Sequence, residues 1–291
     1  MTGPVLVTGA TGNTGRPVTA GLRAAGVPVR TATRGQIRAE SGGEHVHFDW
    51  ADPATYRPAL SGVERVYLVA PIGMPNPAKP IDHFLSAARA AGVRRVVFLS
   101  SDVIPPGAPG LDHARRAVCR MAEWAVLRPS WFMQNFIVPT HPMAAGLRTR
   151  SELISATGGR GIGFVDAADI AAVGVRALLD DAAPNREYVI TGPEALSYDD
   201  IARLLNRSLA PPRPVRHIDS TPGELAEHLT AHGVPPEMAT VLAGAERLIA
   251  AGAEDRVTTT VARVTGRMPR SFGEFIAIHR DRIALPGPRD R

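Results

Sequence analysis

Three glycines set the first chemical constraint. Gly9, Gly12 and Gly15 lie in the stretch Val5-Leu6-Val7-Thr8-Gly9-Ala10-Thr11-Gly12-Asn13-Thr14-Gly15. An apolar strand that runs straight into Gly-x-x-Gly-x-x-Gly and then into a helix suits a pyrophosphate. The first glycine permits the tight turn, the second lets the backbone approach the phosphates, and the third lets the helix pack close to the strand. The helix N-terminus adds free N–H donors and a positive partial charge. Gly9, Ala10, Thr11, Gly12, Asn13, Thr14 and Gly15 are therefore the expected cofactor loop, and the cofactor is a dinucleotide. The glycines stand at one, four and seven, not at the one, three and six of the common dehydrogenase fingerprint.

The end of the second strand discriminates between the two nicotinamide cofactors. An acid there would bind ribose hydroxyls, whereas an arginine would take a 2′-phosphate. The segment Val29-Arg30-Thr31-Ala32-Thr33-Arg34-Gly35 has no acid before Glu40. Arg34 is the expected phosphate clamp, because a guanidinium suits bidentate phosphate contacts. NADPH is thus preferred and NADH remains possible; the alternative is that Arg34 is a solvated surface residue. Asp49 and Trp50 follow the third strand and either flank the adenine or, for Trp50, simply pack. Ala70 and Pro71 end the fourth strand, where they would line the ribose and nicotinamide. Ser100, Ser101 and Asp102 end the fifth. Their serines either terminate the strand through local hydrogen bonds or orient substrate or a proton-donating water, which makes Ser101 a candidate catalytic residue.

Other chemistries are excluded by what is missing. The 33 basic residues include one lysine, Lys79, and the tyrosines are Tyr56, Tyr67, Tyr188 and Tyr198. No tyrosine precedes Lys79 by four places, so a Tyr-x-x-x-Lys acid pair is absent. The histidines and carboxylates show no ligand spacing, and no metal is expected. A Gly-x-Ser-x-Gly hydrolase motif is absent. The single cysteine, Cys119, cannot form an internal disulfide. The net charge of +5 is spread over scattered arginines without a basic run, so nucleic acid is not an expected partner. No signal pattern opens the chain, and no stretch is long and apolar enough to span a bilayer. The expected setting is cytoplasmic, without a membrane partner, and the chain is a monomer or homodimer acting on a small molecule.

The elements that position these residues alternate. Apolar runs at Val5 to Val7, Val27 to Thr33, His45 to Phe48, Arg65 to Val69, Arg95 to Leu99 and Ala125 to Leu127 read as strands. Helical patterns fall at Thr14 to Ala25, Pro53 to Leu60, Pro80 to Ala91 and Leu111 to Glu123. This alternation predicts an α/β fold, a doubly wound parallel sheet of the Rossmann type. Residues 1–150 are the expected NAD(P)-binding domain. Residues 151–291 are expected to form a smaller, mostly helical substrate lobe, interleaved with the first and closing a pocket over the sheet edge. In it, helices are expected at Ala167 to Asp180, Ser197 to Asn206, Pro222 to Ala231, Pro236 to Ala251 and Ser271 to Arg280. Strands are expected at Tyr188 to Thr191 and near Val215 to Ile218, and the tail 286–291 is expected to fray.

The chain resembles the NmrA-like family of atypical short-chain dehydrogenase/reductases. The residues that carry this are Val5 to Gly15, Val66 to Pro71, Val93 to Ser100, and Leu127-Arg128-Pro129-Ser130-Trp131-Phe132-Met133-Gln134-Asn135-Phe136. Gly161 to Ala171, Tyr188 to Asp200 and Thr265 to Phe275 continue it. Within the family it is most similar to the ergot-alkaloid (festuclavine and agroclavine type) reductases. The resemblance implies NAD(P)H on the first domain, with Pro129 beside the cofactor and Trp131, Phe132, Gln134, Asn135 and Phe164 toward the substrate; Trp131 and Phe132 could equally be core packing between the lobes. The helix after the fifth strand has neither Tyr nor Lys, but His113 stands near where such relatives place an acid or base, unless it is merely a solvated helix-start residue. The implied activity is NADPH-dependent reduction of an imine, iminium, quinone or conjugated alkene. A dinucleotide-binding redox sensor without turnover, or an isomerase or cyclase, are the alternatives on this fold.

Overall fold

The computed structural model describes residues 3–35, 43–71, 74, 77–108, 110–210 and 213–283. The tail 286–291 and Glu40 lie outside the described residues. Strands run in the order β1 (Val5–Thr8), β2 (Val29–Thr33), β3 (Glu44–His47), β4 (Arg65–Val69), β5 (Arg95–Leu99), β6 (Glu123–Pro129), β7 (Glu152–Ser155), β8 (Arg186–Ile190) and β9 (Arg216–Asp219). The helices are α1 (Gly15–Ala24), α2 (Tyr56–Leu60), α3 (Ala78–Ala90), α4 (Leu111–Val118), α5 (Pro142–Arg150), α6 (Ala167–Leu179), α7 (Tyr198–Leu209), α8 (Pro222–Ala231), α9 (Pro236–Ala250), α10 (Thr260–Thr265) and α11 (Phe272–Ile278). None of the described helices is long and apolar enough to cross a membrane.

The chain divides into two compact units, each assembled from three stretches. Met1–Pro129, Ala167–Ile190 and Thr260–Arg267 form the first. Its seven-stranded sheet has the order β3-β2-β1-β4-β5-β6-β8, and every pairing is parallel. This is the doubly wound Rossmann fold. Strands such as Val5–Thr8 and Arg95–Leu99 are buried almost throughout, as parallel strands covered on both faces must be. On one face, Tyr56, Phe84, Ala114 and their neighbours from α2, α3 and α4 share a core with the sheet. On the other, α1 and α6 pack closely: an added Cβ at Gly21 would stand 3.0 Å from Val175, and one at Gly174 would stand 3.1 Å from Tyr67.

One buried cation locks this second face. Arg95, at the start of β5, is 1% exposed. Its Nε donates to Glu123 at 2.7 Å, and its NH1 donates to the carbonyls of Leu178 and Asp180 at the end of α6. Helix ends leave carbonyls unpaired, so a guanidinium placed there satisfies several at once.

The same pairing corrects one expected element. The helical pattern from Leu111 predicts a helix to Glu123, but α4 ends at Val118, and Glu123 opens β6 directly opposite Arg95. The salt bridge holds in the sheet a residue whose local sequence favours a helix.

Ser130–Asp166, Thr191–Thr259 and Met268–Arg291 form the second unit. It holds the parallel pair β7–β9 and helices α5, α7, α8, α9 and α11. Helices α7, α8 and α11 each start with a reciprocal capping box, Ser197 with Asp200, Thr221 with Glu224 and Ser271 with Glu274. Phe136, Phe164, Tyr198 and Phe272 form an aromatic core with ring centroids 5.0 to 6.2 Å apart.

Candidate functional site

Strand order reverses at the β1–β4 pair, the place where open α/β sheets bind ligands beyond the strand ends. Thr8 stitches the two strands there: its hydroxyl accepts the Val69 N–H at 2.8 Å and lies 3.3 Å from the Tyr67 carbonyl. Gly9 then takes a left-handed φ of 61°, which glycine adopts without penalty. Gly12 N–H closes the turn onto Gly9 O at 2.9 Å. At Gly15 a Cβ would stand 2.2 Å from Gly9 O, so only hydrogen fits.

Gly9, Thr11, Gly12 and Asn13 are exposed, while Ala10, Thr14 and Gly15 are buried. The loop thus presents backbone outward and anchors itself inward. Helix α1 has no acid in its first turn, and Thr14 makes no side-chain cap. In its first turn Arg16 N–H already donates to Gly12 O at 3.2 Å and Val18 N–H to Thr14 O at 3.0 Å, and Pro17 has no N–H, so the Gly15 N–H and the exposed loop backbone are what remain for an anion. These features fit the pyrophosphate of a dinucleotide.

The other residues expected at the sheet edge are placed as follows. Arg34 is the first residue beyond β2 and is exposed; its carbonyl accepts from His47 Nδ1 at 3.0 Å. Asp49 and Trp50 follow β3. Asp49 Oδ1 accepts the Ala51 N–H at 2.9 Å. Trp50 packs edge-on against Phe48 at 5.0 Å and also against Phe84 at 5.3 Å, with its carbonyl accepting the Tyr56 hydroxyl. Ala70 and Pro71 are half-buried beyond β4, Ser100 is buried and Ser101 half-buried beyond β5, and Pro129 closes β6. Pro129 O accepts the Asp102 N–H at 3.0 Å, which ties the ends of β5 and β6 together.

A charge network that the sequence does not announce fixes the loop after β5. Asp102 pairs with Arg128 at 3.1 Å, Arg128 with Glu187 at 3.0 Å, Glu187 with Arg115 at 2.5 Å and Arg115 with Asp112 at 2.7 Å. Asp112 also accepts the Gly107 N–H at 2.8 Å. Burial alone would raise the Asp112 carboxyl, but that N–H together with Arg115 and Arg116 holds it below the usual carboxylate value. Ser101 is therefore carried on a braced segment.

His113 stands in the first turn of α4, 45% exposed at its side chain, with Nε2 2.9 Å from the Asp82 carboxylate of α3. An exposed imidazole already held by a carboxylate has little reach to a separate acceptor. His113→Ala is expected to leave kcat within about threefold across pH 6–8, whereas a loss of about a hundredfold or more, the size typical of general acids, would assign it the proton. Cys119 is half-buried and its thiol is pushed up by burial, which leaves it unreactive. All four tyrosines are also raised by burial, Tyr56 to about 12. The Tyr67 hydroxyl is wholly buried in β4 without a hydrogen bond of good geometry. The sole lysine, Lys79, is exposed on α3.

The second unit contains a narrow cavity, part of it open to solvent. Trp131 and Asn135 line it, together with His141, Met143, Tyr198, Leu229 and Glu246. Phe132, Gln134 and Phe164, expected beside them, do not line this cavity. Phe132 pairs with Val165 in an isolated bridge. Gln134 is buried and donates to Asp166 at 2.8 Å, and Phe164 is in the aromatic core. Glu246 was not foreseen, because a glutamate inside a helix usually marks a solvated face. Its spacing from Ala239 and Ala243, four and then three residues apart on the buried face of α9, was the readable signal.

Comparison with known proteins agrees with this geometry. The NAD(P)H-binding family model matches residues 9–181. The chain is 41% identical over 276 residues to the uncharacterized oxidoreductase YesF of Bacillus subtilis, covering 95% of each. It is 35% identical over 280 residues to the agroclavine dehydrogenase of Claviceps fusiformis, covering 94% of this chain and 96% of the other. The NADPH-dependent quinone oxidoreductase of Escherichia coli, solved with NADPH, superposes with a TM-score of 0.80 at 22% identity, covering 94% and 99% of the two chains, and shares the fold. The glycine cradle at the β1–β4 switch point, the all-parallel sheet and these relatives together place the chain in the NAD(P)H-binding family of oxidoreductases.

Proposed function

We propose that the protein is an NADPH-dependent reductase of a small organic acceptor, an imine or iminium, a quinone or a conjugated alkene. The observation that carries this is the pairing of an intact dinucleotide cradle with tyrosines that burial has made weaker acids, not stronger ones. When bound, NADPH supplies a hydride, and the protein binds, orients and shields. An iminium that receives hydride becomes a neutral amine and needs no proton. A quinone or enone needs one proton, which water oriented by Ser101 can deliver. A plain ketone demands stronger acid help and is the disfavoured substrate.

In this reading the glycine loop and the N-terminus of α1 hold the pyrophosphate, Arg34 takes the 2′-phosphate, Ala70, Pro71, Ser100 and Pro129 line the nicotinamide side, and Asp49 and Trp50 border the adenine. The quinone oxidoreductase of the same fold is named for one of the proposed acceptors, and the agroclavine dehydrogenase relative is named as a redox enzyme; both support the reading. NADPH oxidation should be stimulated by at least one member of a panel of cyclic imines, quinones and enones. A silent panel with tight NADPH binding would sink the reductase and favour a dinucleotide-sensing regulator, the reading that a missing acid also permits. Arg34→Ala is expected to weaken NADPH binding roughly ten- to hundredfold, the loss of a charge-assisted phosphate contact, with NADH affinity unchanged. Equal losses for both cofactors would remove Arg34 from 2′-phosphate recognition.

A further inference from the structure

The geometry points to the cavity of the second unit as a site for an apolar organic cation, with Glu246 as the carboxylate that reads its charge. The inference rests on the proposed function in taking this cavity as the acceptor's. Glu246 lies on α9 and is 7% exposed. Its Oε2 accepts the Ala156 N–H at 2.6 Å, which fixes the carboxyl in place. Among the described residues no hydrogen bond engages its Oε1, which leaves that oxygen for the cavity that Glu246 lines.

The remaining charged and titratable groups facing the cavity leave Glu246 uncompensated. Arg150, at the end of α5, is paired with Glu152 of β7 at 3.0 Å. Burial pushes His141, the cap of α5, down to about 4, so it is neutral, and its Nδ1 accepts the Met143 N–H. His228 of α8 is lowered too, by burial and then by His232 and Arg150. Tyr198 of α7 is held neutral by burial and by Glu246 itself. Burial raises the Glu246 carboxyl to about 7. A cation beside Oε1 would draw it back to the ionised form, while Met143, Leu225, Leu229 and Leu242 accommodate the apolar body. Neutral ligands would gain nothing from that ionisation.

The test uses the full chain without cofactor and two probes of similar size, benzyltrimethylammonium, whose charge is permanent, and uncharged N,N-dimethylbenzamide. Affinities are measured by ligand-observed NMR between pH 5.5 and 8.5. A carboxyl near 7 links ionisation to binding, so the ammonium probe should bind at least tenfold tighter at pH 8.5 than at pH 5.5, and the amide should show no such rise. Glu246→Gln keeps an oxygen for the Ala156 N–H. It should abolish the pH dependence and lower ammonium affinity at pH 8.5 at least tenfold, with amide binding retained. Ammonium binding that ignores pH in the wild type, or keeps its pH dependence in Glu246→Gln, overturns the assignment. So does an amide that binds more tightly than the ammonium at pH 8.5. If Glu246→Gln folds poorly, His228→Gln decides: a pH dependence kept there leaves Glu246 as its source, and one lost there overturns the assignment. Because no turnover is involved, cation binding without any NADPH oxidation would uphold the site and sink the reductase, and oxidation without cation selectivity would do the reverse.

Discussion

Gly15→Ala is expected to abolish measurable NADPH binding. The added methyl would stand 2.2 Å from Gly9 O, 2.8 Å from Gly9 C and 2.9 Å from Ala10 Cα. All three are backbone atoms of the turn, so no side-chain rotation relieves the clash. The start of α1 must move away from the strand–turn junction, and the loop backbone proposed to hold the cofactor moves with it. Gly12→Ala is a graded control. Its Cβ would meet only Gly9 O, at 3.2 Å, a contact that a small shift relieves. Its damage is to the outward face of the loop, where a methyl stands between backbone and phosphate. The expected result is a fold intact by circular dichroism in both variants, with NADPH affinity down more than a hundredfold in Gly15→Ala and roughly ten- to hundredfold in Gly12→Ala, the worth of one charge-assisted contact. Thermal shift reads this directly, since a ligand raises stability by RT ln(1 + [L]/Kd). A wild-type-sized shift in Gly15→Ala would show that the cofactor does not rest on this turn.

The largest effect on stability is expected at Arg95. Replacing it by leucine removes the guanidinium from Glu123 Nε-bonded at 2.7 Å and from the carbonyls of Leu178 and Asp180. Breaking a buried charge pair from one side costs up to about 3–5 kcal/mol; Glu123 keeps Arg94, so the loss is carried chiefly by the Asp180 and Asp181 carbonyls that Arg95 no longer satisfies. In the native protein burial works to raise the Glu123 carboxyl, but Arg95, then Arg94 and Arg65, hold it low. Without Arg95 that balance shifts toward protonation. Urea unfolding should show the loss, and Tm should fall by roughly ten degrees at about 2–4 °C per kcal/mol. Arg94→Ala is the contrast. Arg94 touches the same glutamate at 3.0 Å, but its side chain is 74% exposed, and such pairs contribute about 0–1 kcal/mol. Equal losses in the two variants would contradict the assignment of the lock to Arg95.

The first unit was legible where local chemistry is decisive. Arg65–Val69 and Arg95–Leu99 were read to the residue, because each is a short apolar run bounded by turn residues. The glycine motif was legible because its requirement is steric and lies within seven residues. The β6 boundaries were not. Glu123 and Trp124 look helical or polar in isolation, and only their register against Arg95 and Val96 holds them in the sheet. Helix α5 was missed because it starts at Pro142 and buries residues without a clean apolar stripe. Strand β7 is four residues long and pairs with β9 more than sixty residues away. The Asp102–Arg128–Glu187–Arg115–Asp112 chain was invisible for the same reason: its links join distant segments, and each residue alone resembles surface charge.

The three-part threading of each unit also governs how the protein can be made. A ribosome releases β1 to β6 before it has synthesised α6 or β8. The sheet therefore waits with one face covered by α1 alone and Arg95 lacking the carbonyls of Leu178 and Asp180 until about residue 190 has emerged. A gene fragment cut after Pro129 would be frozen at that stage, with apolar strand surface open to self-association. A split reporter or a domain swap that treats the first 129 residues as a module should fail, whereas one that carries Ala167–Ile190 along retains the helix and strand that complete the sheet.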